Sequence, residues 1–178
     1  KSTLPDGKEM NPHPELLCLA NGMVDIFTWK IYPHDPAYLA THMHPFAFDP
    51  RAPRDCAAFK LYLRNTVRIP EVVRELQWFT GYCLWPKNPF HTSMFAIGPP
   101  SAGKSTYLNL LRKLLGRENC TAVNLKELED QFQRVKLHRK KCCIFSEAKA
   151  SFFETEYFKA ITGDDEVGAA YKHKDGFD

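Results

Sequence analysis

The apolar positions of this 178-residue chain change period along its length, and each change marks an element. Residues 16–20 run apolar into Asn21-Gly22, and residues 24–31 alternate, so a hairpin across Asn21-Gly22 is predicted. Two helical patterns follow. Phe59, Tyr62 and Leu63 mark a helix over 55–65. Val73, Leu76, Trp78 and Phe79 mark another over 70–82, with Pro70 in its first turn and Gly81 near its end. His91 to Ile97 is an apolar-ended segment that reads as a buried strand. After it Tyr107, Leu108, Leu111, Leu114 and Leu115 keep helical spacing as far as Gly116.

Beyond Gly116 the period alternates again. A short strand is predicted over Cys120 to Val123, then a capping box formed by Asn124 and Glu127. Lys141 to Ser146 is a buried strand that ends on Glu147. Ser151 and Glu154 form a second capping box before a helix over 152–161, stopped by Gly163. Residues 167–174 read as a strand running into the turn signal Asp175-Gly176. The pattern divides near Pro86 into a hairpin-plus-helical region (1–89) and an α/β region (90–178).

One stretch carries chemistry: Gly98, Pro99, Pro100, Ser101, Ala102, Gly103, Lys104, Ser105 and Thr106 fit G-x-x-x-x-G-K-[ST], the phosphate-binding loop of nucleoside triphosphatases. A chance match in a chain this long is about one in a hundred or less. Strand, glycine loop and helix is the order this chemistry needs. Backbone N–H groups and the helix N-terminus meet the phosphates of ATP, Lys104 reaches the β/γ oxygens, and the Ser105 hydroxyl ligates Mg²⁺. Hydrolysis also needs an acid beside the Mg²⁺ to hold the metal's water shell and orient the attacking water. Glu147, at the C-terminal end of a predicted strand, has that placement, although Ser146 stands where an acidic pair would have its first member.

Composition narrows the setting. A net charge of +3, 25% charged and 13% aromatic residues describe a globular, soluble chain for which nucleic-acid binding is permitted but not demanded. No apolar run reaches the length of a membrane span and no secretory signal opens the chain. Its first residue is Lys1, as expected of a fragment or a processed chain. Six cysteines without a C-x-x-C pair read as reduced thiols, in keeping with a cytoplasmic protein. Weaker constellations remain. His34, Asp35, His42 and His44 crowd a Pro-rich stretch and include a zinc-type His-x-His. The basic run 134–141 is a solvated face or a nucleic-acid contact, and Lys172 and Lys174 fall on one side of a strand, as edge protection or as a binding pair.

Several of these pieces together, namely Asn21-Gly22, Phe48 to Ala52, Gly81-Tyr82, Gly98 to Thr106, Phe145-Ser146-Glu147, and 158–165 followed by Tyr171 to Lys174, carry a family likeness. Over residues 16–178 the chain resembles the helicase part of phage and plasmid primase–helicases, superfamily 3 within the AAA+ ATPases. It departs in having Gly163-Asp164-Asp165 for a usual Gly-Gly-Asp, and Lys172-His173 for a usual Lys-Tyr. The resemblance implies an AAA+ P-loop core with a parallel sheet, preceded by a small α+β or helical region. It also implies a homohexameric ring that hydrolyses ATP with Mg²⁺ and moves along single-stranded or forked DNA, in a bacterial host or phage-infected cell. Lys172 and Lys174 would then line a central channel and attract DNA phosphates. The family's sensor asparagine and arginine finger would lie beyond Asp178, so a motor that continues past this residue is expected, with little ATPase activity from these residues alone. Two other classes fit a phosphate loop: a small-molecule kinase, for which too little chain follows Lys104, and a nucleotide-binding switch, for which Glu147 would be idle.

Overall fold

The turn signal at Asn21-Gly22 is realised as a hairpin. β1 (Leu16–Leu19) and β2 (Gly22–Asp25) pair antiparallel, with Leu19 opposite Gly22. β2 pairs on its far side with the short β3 (Ile31–Tyr32), giving the order β1-β2-β3. Between them the alternation predicted over 24–31 is broken by a tight turn. The Asp25 carboxylate accepts the N–H groups of Phe27 and Thr28 at 2.8 and 2.9 Å and folds the chain back. At Gly22 a Cβ would lie 2.5 Å from the Tyr32 carbonyl oxygen, so only glycine lets β3 come this close. Along the outer edge of β1, His44 donates its N–H to Cys18 at 2.9 Å, and Ala20 donates to Phe46 at 3.0 Å. Asn21 then clasps Phe48 from both sides: its Nδ2 donates to the Phe48 carbonyl and its Oδ1 accepts the Phe48 N–H, each at 2.9 Å.

The computed structural model describes residues 7, 9–53, 55–145, 156–163, 167–170 and 176–177. They pack as two units, Lys1–Lys87 with Phe95–Gly116, and Asn88–Met94 with Arg117–Asp178. Residues 95–116 therefore belong by packing with the first unit, where a division at residue 90 would put them in the second.

Within the first unit α1 (Ala57–Thr66) and α2 (Pro70–Leu84) lie where the apolar spacing predicts. Pro70 opens α2 at a position whose N–H needs no helical partner. The helix runs through Gly81 to Leu84, beyond the end that this glycine suggests. A Cβ at Gly81 would meet nothing within 4 Å, so no packing demand ends the helix there. Tyr82 stacks on Trp78 one turn earlier, with centroids 5.3 Å apart and planes 9° from parallel, which offsets part of the ~1 kcal/mol a helical glycine costs. α3 (Lys104–Leu115) buries Tyr107, Leu111 and Leu115 and stops at Gly116, whose φ of +97° suits the left-handed side. Its Tyr107 hydroxyl meets Thr80 Oγ1 at 2.7 Å and the Leu76 carbonyl at 3.2 Å, tying α3 to α2.

The strand predicted over residues 91–97 does not form. A strand exists only where a neighbour satisfies its N–H and C=O groups, and no described segment pairs with this one. Phe95 is 49% and Ile97 94% exposed, so the apolar pattern here is real but uncovered.

In the second unit β4 (Cys120–Ala122) and β5 (Cys142–Ile144) form a parallel pair, Cys120 opposite Cys142. The carbonyl of the buried Asn119 accepts the N–H groups of Lys141 and Cys142 and sets this register. Asn124 caps, as its position predicts, by accepting the Lys126 N–H at 3.2 Å, but what it opens is a 3₁₀ turn (Leu125–Glu129), followed by the short α4 (Gln131–Arg134) capped by Asp130. Val123 and Leu128 form the core, with Leu137, Cys143, Phe145, Tyr157, Phe158 and Ile161 packed on it. The last three belong to α5 (Glu156–Gly163), which ends at Gly163. β6 (Ala169–Ala170) pairs antiparallel with β7 (Gly176–Phe177), so Gly176 is a strand residue and not the turn that Asp175-Gly176 suggests. The returning strand thus begins at Gly176. Ser151 and Glu154, read as a capping box, lie outside the described residues.

Candidate phosphate-binding site

Gly98 to Thr106 folds as a compact loop running into α3. The chain turns at Pro99, whose carbonyl accepts the Ala102 N–H at 3.4 Å, then passes Ser101 at φ +61° and Gly103 at φ +82°. These left-handed residues reverse the backbone so that the helix opens at Lys104 with Gly103 as its cap. No side chain caps this N-terminus and no acidic residue lies in its first turn. The positive end of the helix dipole is therefore left open beside a lysine, while Arg112 and Lys113 complement the opposite end. Ser105 and Thr106, the hydroxyl residues of the motif, are exposed.

Lys104 folds back over the loop. Its Nζ donates to the carbonyls of Gly98 and Pro99 at 2.8 and 2.7 Å. Two carbonyl oxygens thus occupy an ammonium that an anionic acceptor would hold more strongly, with charge on both partners. An uncapped helix N-terminus, a held cation and two exposed hydroxyls leave a set of hydrogen-bond donors together at this end of α3.

The loop does not stand alone. Tyr62, on α1, donates its hydroxyl to the Gly103 carbonyl at 2.8 Å. A Cβ on Gly103 would lie 2.7 Å from Thr66 Cγ2 and 3.3 Å from the Tyr62 ring. Burial pushes the Tyr62 phenol up from its ordinary range, with the Tyr107 backbone N–H opposing, so it stays a donor at neutral pH. Sequence reasoning places Tyr62 on the apolar face of a helix; nothing local signals a partner 41 residues away.

The remaining candidates separate. Glu147, Lys172 and Lys174 lie outside the described residues, as does Ser146; β5 ends at Ile144, three residues before Glu147. The histidine cluster does not converge, and among the described residues no three metal-ligating side chains gather. Asp35 caps the turn at Pro36–Tyr38, His34 faces Cys18 Sγ at 3.7 Å, and His42 meets Thr41 Oγ1. His44 is buried, its two ring nitrogens each 3.3 Å from the carbonyls of Leu84 and Leu115, the last residues of α2 and α3. In the basic run, Arg134 donates to the carbonyls of Gly168 and Leu128 and lies 4.5 Å over the Tyr157 ring, Lys136 pairs with Glu127, and Lys140 holds the Glu118 carbonyl. These three cations serve the fold of their own unit.

Comparison with known families gives two matches along the chain. Residues 4–68 match a family described as D5 N terminal like, the N-terminal part of phage and plasmid primase–helicase proteins. Residues 96–178 match a family of unknown function, DUF5906. No curated protein matches the chain. The first match points to phage and plasmid primase–helicases in general, over residues 4–68. No helix among the described residues is long and apolar enough to cross a membrane.

Proposed function

We propose that this chain belongs to an ATP-driven DNA helicase motor of the superfamily 3, AAA+ type, in which Gly98 to Thr106 binds the phosphates of ATP. The observation that carries the proposal is the loop itself: left-handed Ser101 and Gly103, a helix opening uncapped at Lys104, and the Lys104 ammonium held at the loop's centre by carbonyls. The D5 N terminal like match upstream supplies the replication setting. Lys104 would hold the β/γ oxygens, the amides of α3's first turn the neighbouring oxygens, and Ser105 with Glu147 the magnesium ion. Bound Mg²⁺ supplies charge neutralisation at the phosphates. Glu147 would orient the attacking water, and Lys172 and Lys174 would draw DNA phosphates into the channel of a homohexamer.

The test uses the full-length protein. Lys104→Ala should weaken ATP binding by at least tenfold in calorimetry and abolish DNA-stimulated turnover. Glu147→Gln should keep Mg²⁺-dependent ATP binding while turnover falls by about 10²-fold or more. Equal ATP affinity in wild type and Lys104→Ala overturns the phosphate assignment; near wild-type turnover in Glu147→Gln overturns the role of the acid.

A further inference from the structure

A planar peptide links two atoms of the loop that do different work. The Gly103 carbonyl and the Lys104 N–H belong to one peptide unit and point in opposite directions. The carbonyl is held from outside by the Tyr62 hydroxyl at 2.8 Å and closes the first helical bond of α3 from Tyr107 at 3.1 Å. Whatever fixes that carbonyl therefore also fixes the aim of the Lys104 N–H, one of the first-turn donors at the open end of α3. Thr66 and the Tyr62 ring pack so close to the Cα of Gly103 that a Cβ there would lie 2.7 Å from Thr66 Cγ2, so α1 lies directly against this peptide.

From this geometry we infer that Tyr62 is a positioning residue for phosphate binding. It lies on α1, outside the loop motif, and presets the Gly103–Lys104 peptide so that its N–H meets a nucleoside di- or triphosphate without reorganisation. The inference rests on the phosphate-site reading of the loop. Tyr62 and Thr66 fall in the segment 4–68 and Gly103 in the segment 96–178, so the contact makes the two family-matched segments parts of one site. It also gives Gly103 a reason beyond its left-handed backbone, because a side chain there would collide with α1.

The experiment is ADP binding with Mg²⁺ by calorimetry on the full-length protein, comparing wild type, Lys104→Ala, Tyr62→Phe and Tyr62→3-fluorotyrosine. The phenylalanine keeps the ring and removes only the donor; fluorotyrosine restores a donor. Tyr62→Phe should raise Kd about three- to tenfold, the scale of one hydrogen bond that preorganises a donor. The fluorotyrosine variant should bind within twofold of wild type. A purely structural tyrosine would lower the thermal midpoint and leave Kd unchanged, because unfolded chains do not alter the affinity of folded ones. If Lys104→Ala loses ADP while Tyr62→Phe binds like wild type, the positioning role is overturned and the phosphate site stands. If wild type and Lys104→Ala bind alike, or neither binds, the phosphate site falls and takes the inference with it. A Tyr62→Phe chain that does not fold makes this hydroxyl part of the scaffold and also overturns the role.

Discussion

Replacing Gly103 by alanine tests the packing of α1 on the loop without reference to any ligand. Two penalties add. A non-glycine residue at φ +82° costs about 1–2 kcal/mol for its left-handed backbone. The new Cβ would lie 2.7 Å from Thr66 Cγ2, an overlap of the kind that costs about 1–3 kcal/mol in packed sites. Gly103→Ala should therefore destabilise the first unit by ~2–5 kcal/mol. Thr66→Ala removes Cγ2, so the double variant should recover the steric share and retain the backbone share, a coupling of about 1–3 kcal/mol. Equilibrium urea unfolding followed by tryptophan fluorescence reads this directly, because Trp29, Trp78 and Trp85 all lie in the unit that holds the loop. A cost under about 0.5 kcal/mol for Gly103→Ala, or a double variant no more stable than the single one, would refute the contact.

Two further outcomes follow from a buried histidine and a half-buried cysteine. His44→Ala deletes a ring that is 2% exposed and faces the ends of two helices, so it should cost ~2–4 kcal/mol in the same unfolding assay; a loss typical of surface sites would show that the ring does not brace them. Burial raises the Cys143 thiol from its ordinary value to about 12, with the Cys120 thiol adding to the shift and the Val123 backbone N–H opposing it. The folded state thus holds this proton more tightly than the unfolded chain. Its contribution is fully present below the unfolded thiol's pKa, about 8.5, and is lost as pH rises from there towards 12. Native Cys143 should resist alkylation at pH 8.5 and react after denaturation, as peptide mass spectrometry would detect; rapid labelling of the native chain would contradict its burial.

Elements that close their hydrogen bonds locally were legible in the chain. The hairpin at Asn21-Gly22, α1, α2 and α3 follow from period, turn residues and caps, and the apolar runs at β4 and β5 were legible too although their parallel partners lie 22 residues apart. The segment 91–97 carries the same kind of apolar signal yet forms no strand, because pattern describes one face of a ladder and says nothing of the partner. The glycine loop running into α3 was legible because its motif is built of consecutive residues. Its support was not: the Asn21 clasp on Phe48, the His44 brace and the Tyr62 bond span 27 to 71 residues, and no short-range regularity encodes such distances. Gly81 misled for the opposite reason, since a strong local stop signal yields when the next turn can stack.

The three fastenings of α3 act together. Tyr62 fixes its first peptide, Tyr107 ties its first turn to α2 through Thr80, and the buried His44 ring lies between its last carbonyl and that of α2. Twelve residues at 1.5 Å each make a rod about 18 Å long. Two of its fastenings fall within its first turn, and one buried ring meets its far end. The helix is therefore anchored most firmly where it meets the glycine loop, while its far end shares one imidazole ring with the Leu84 end of α2.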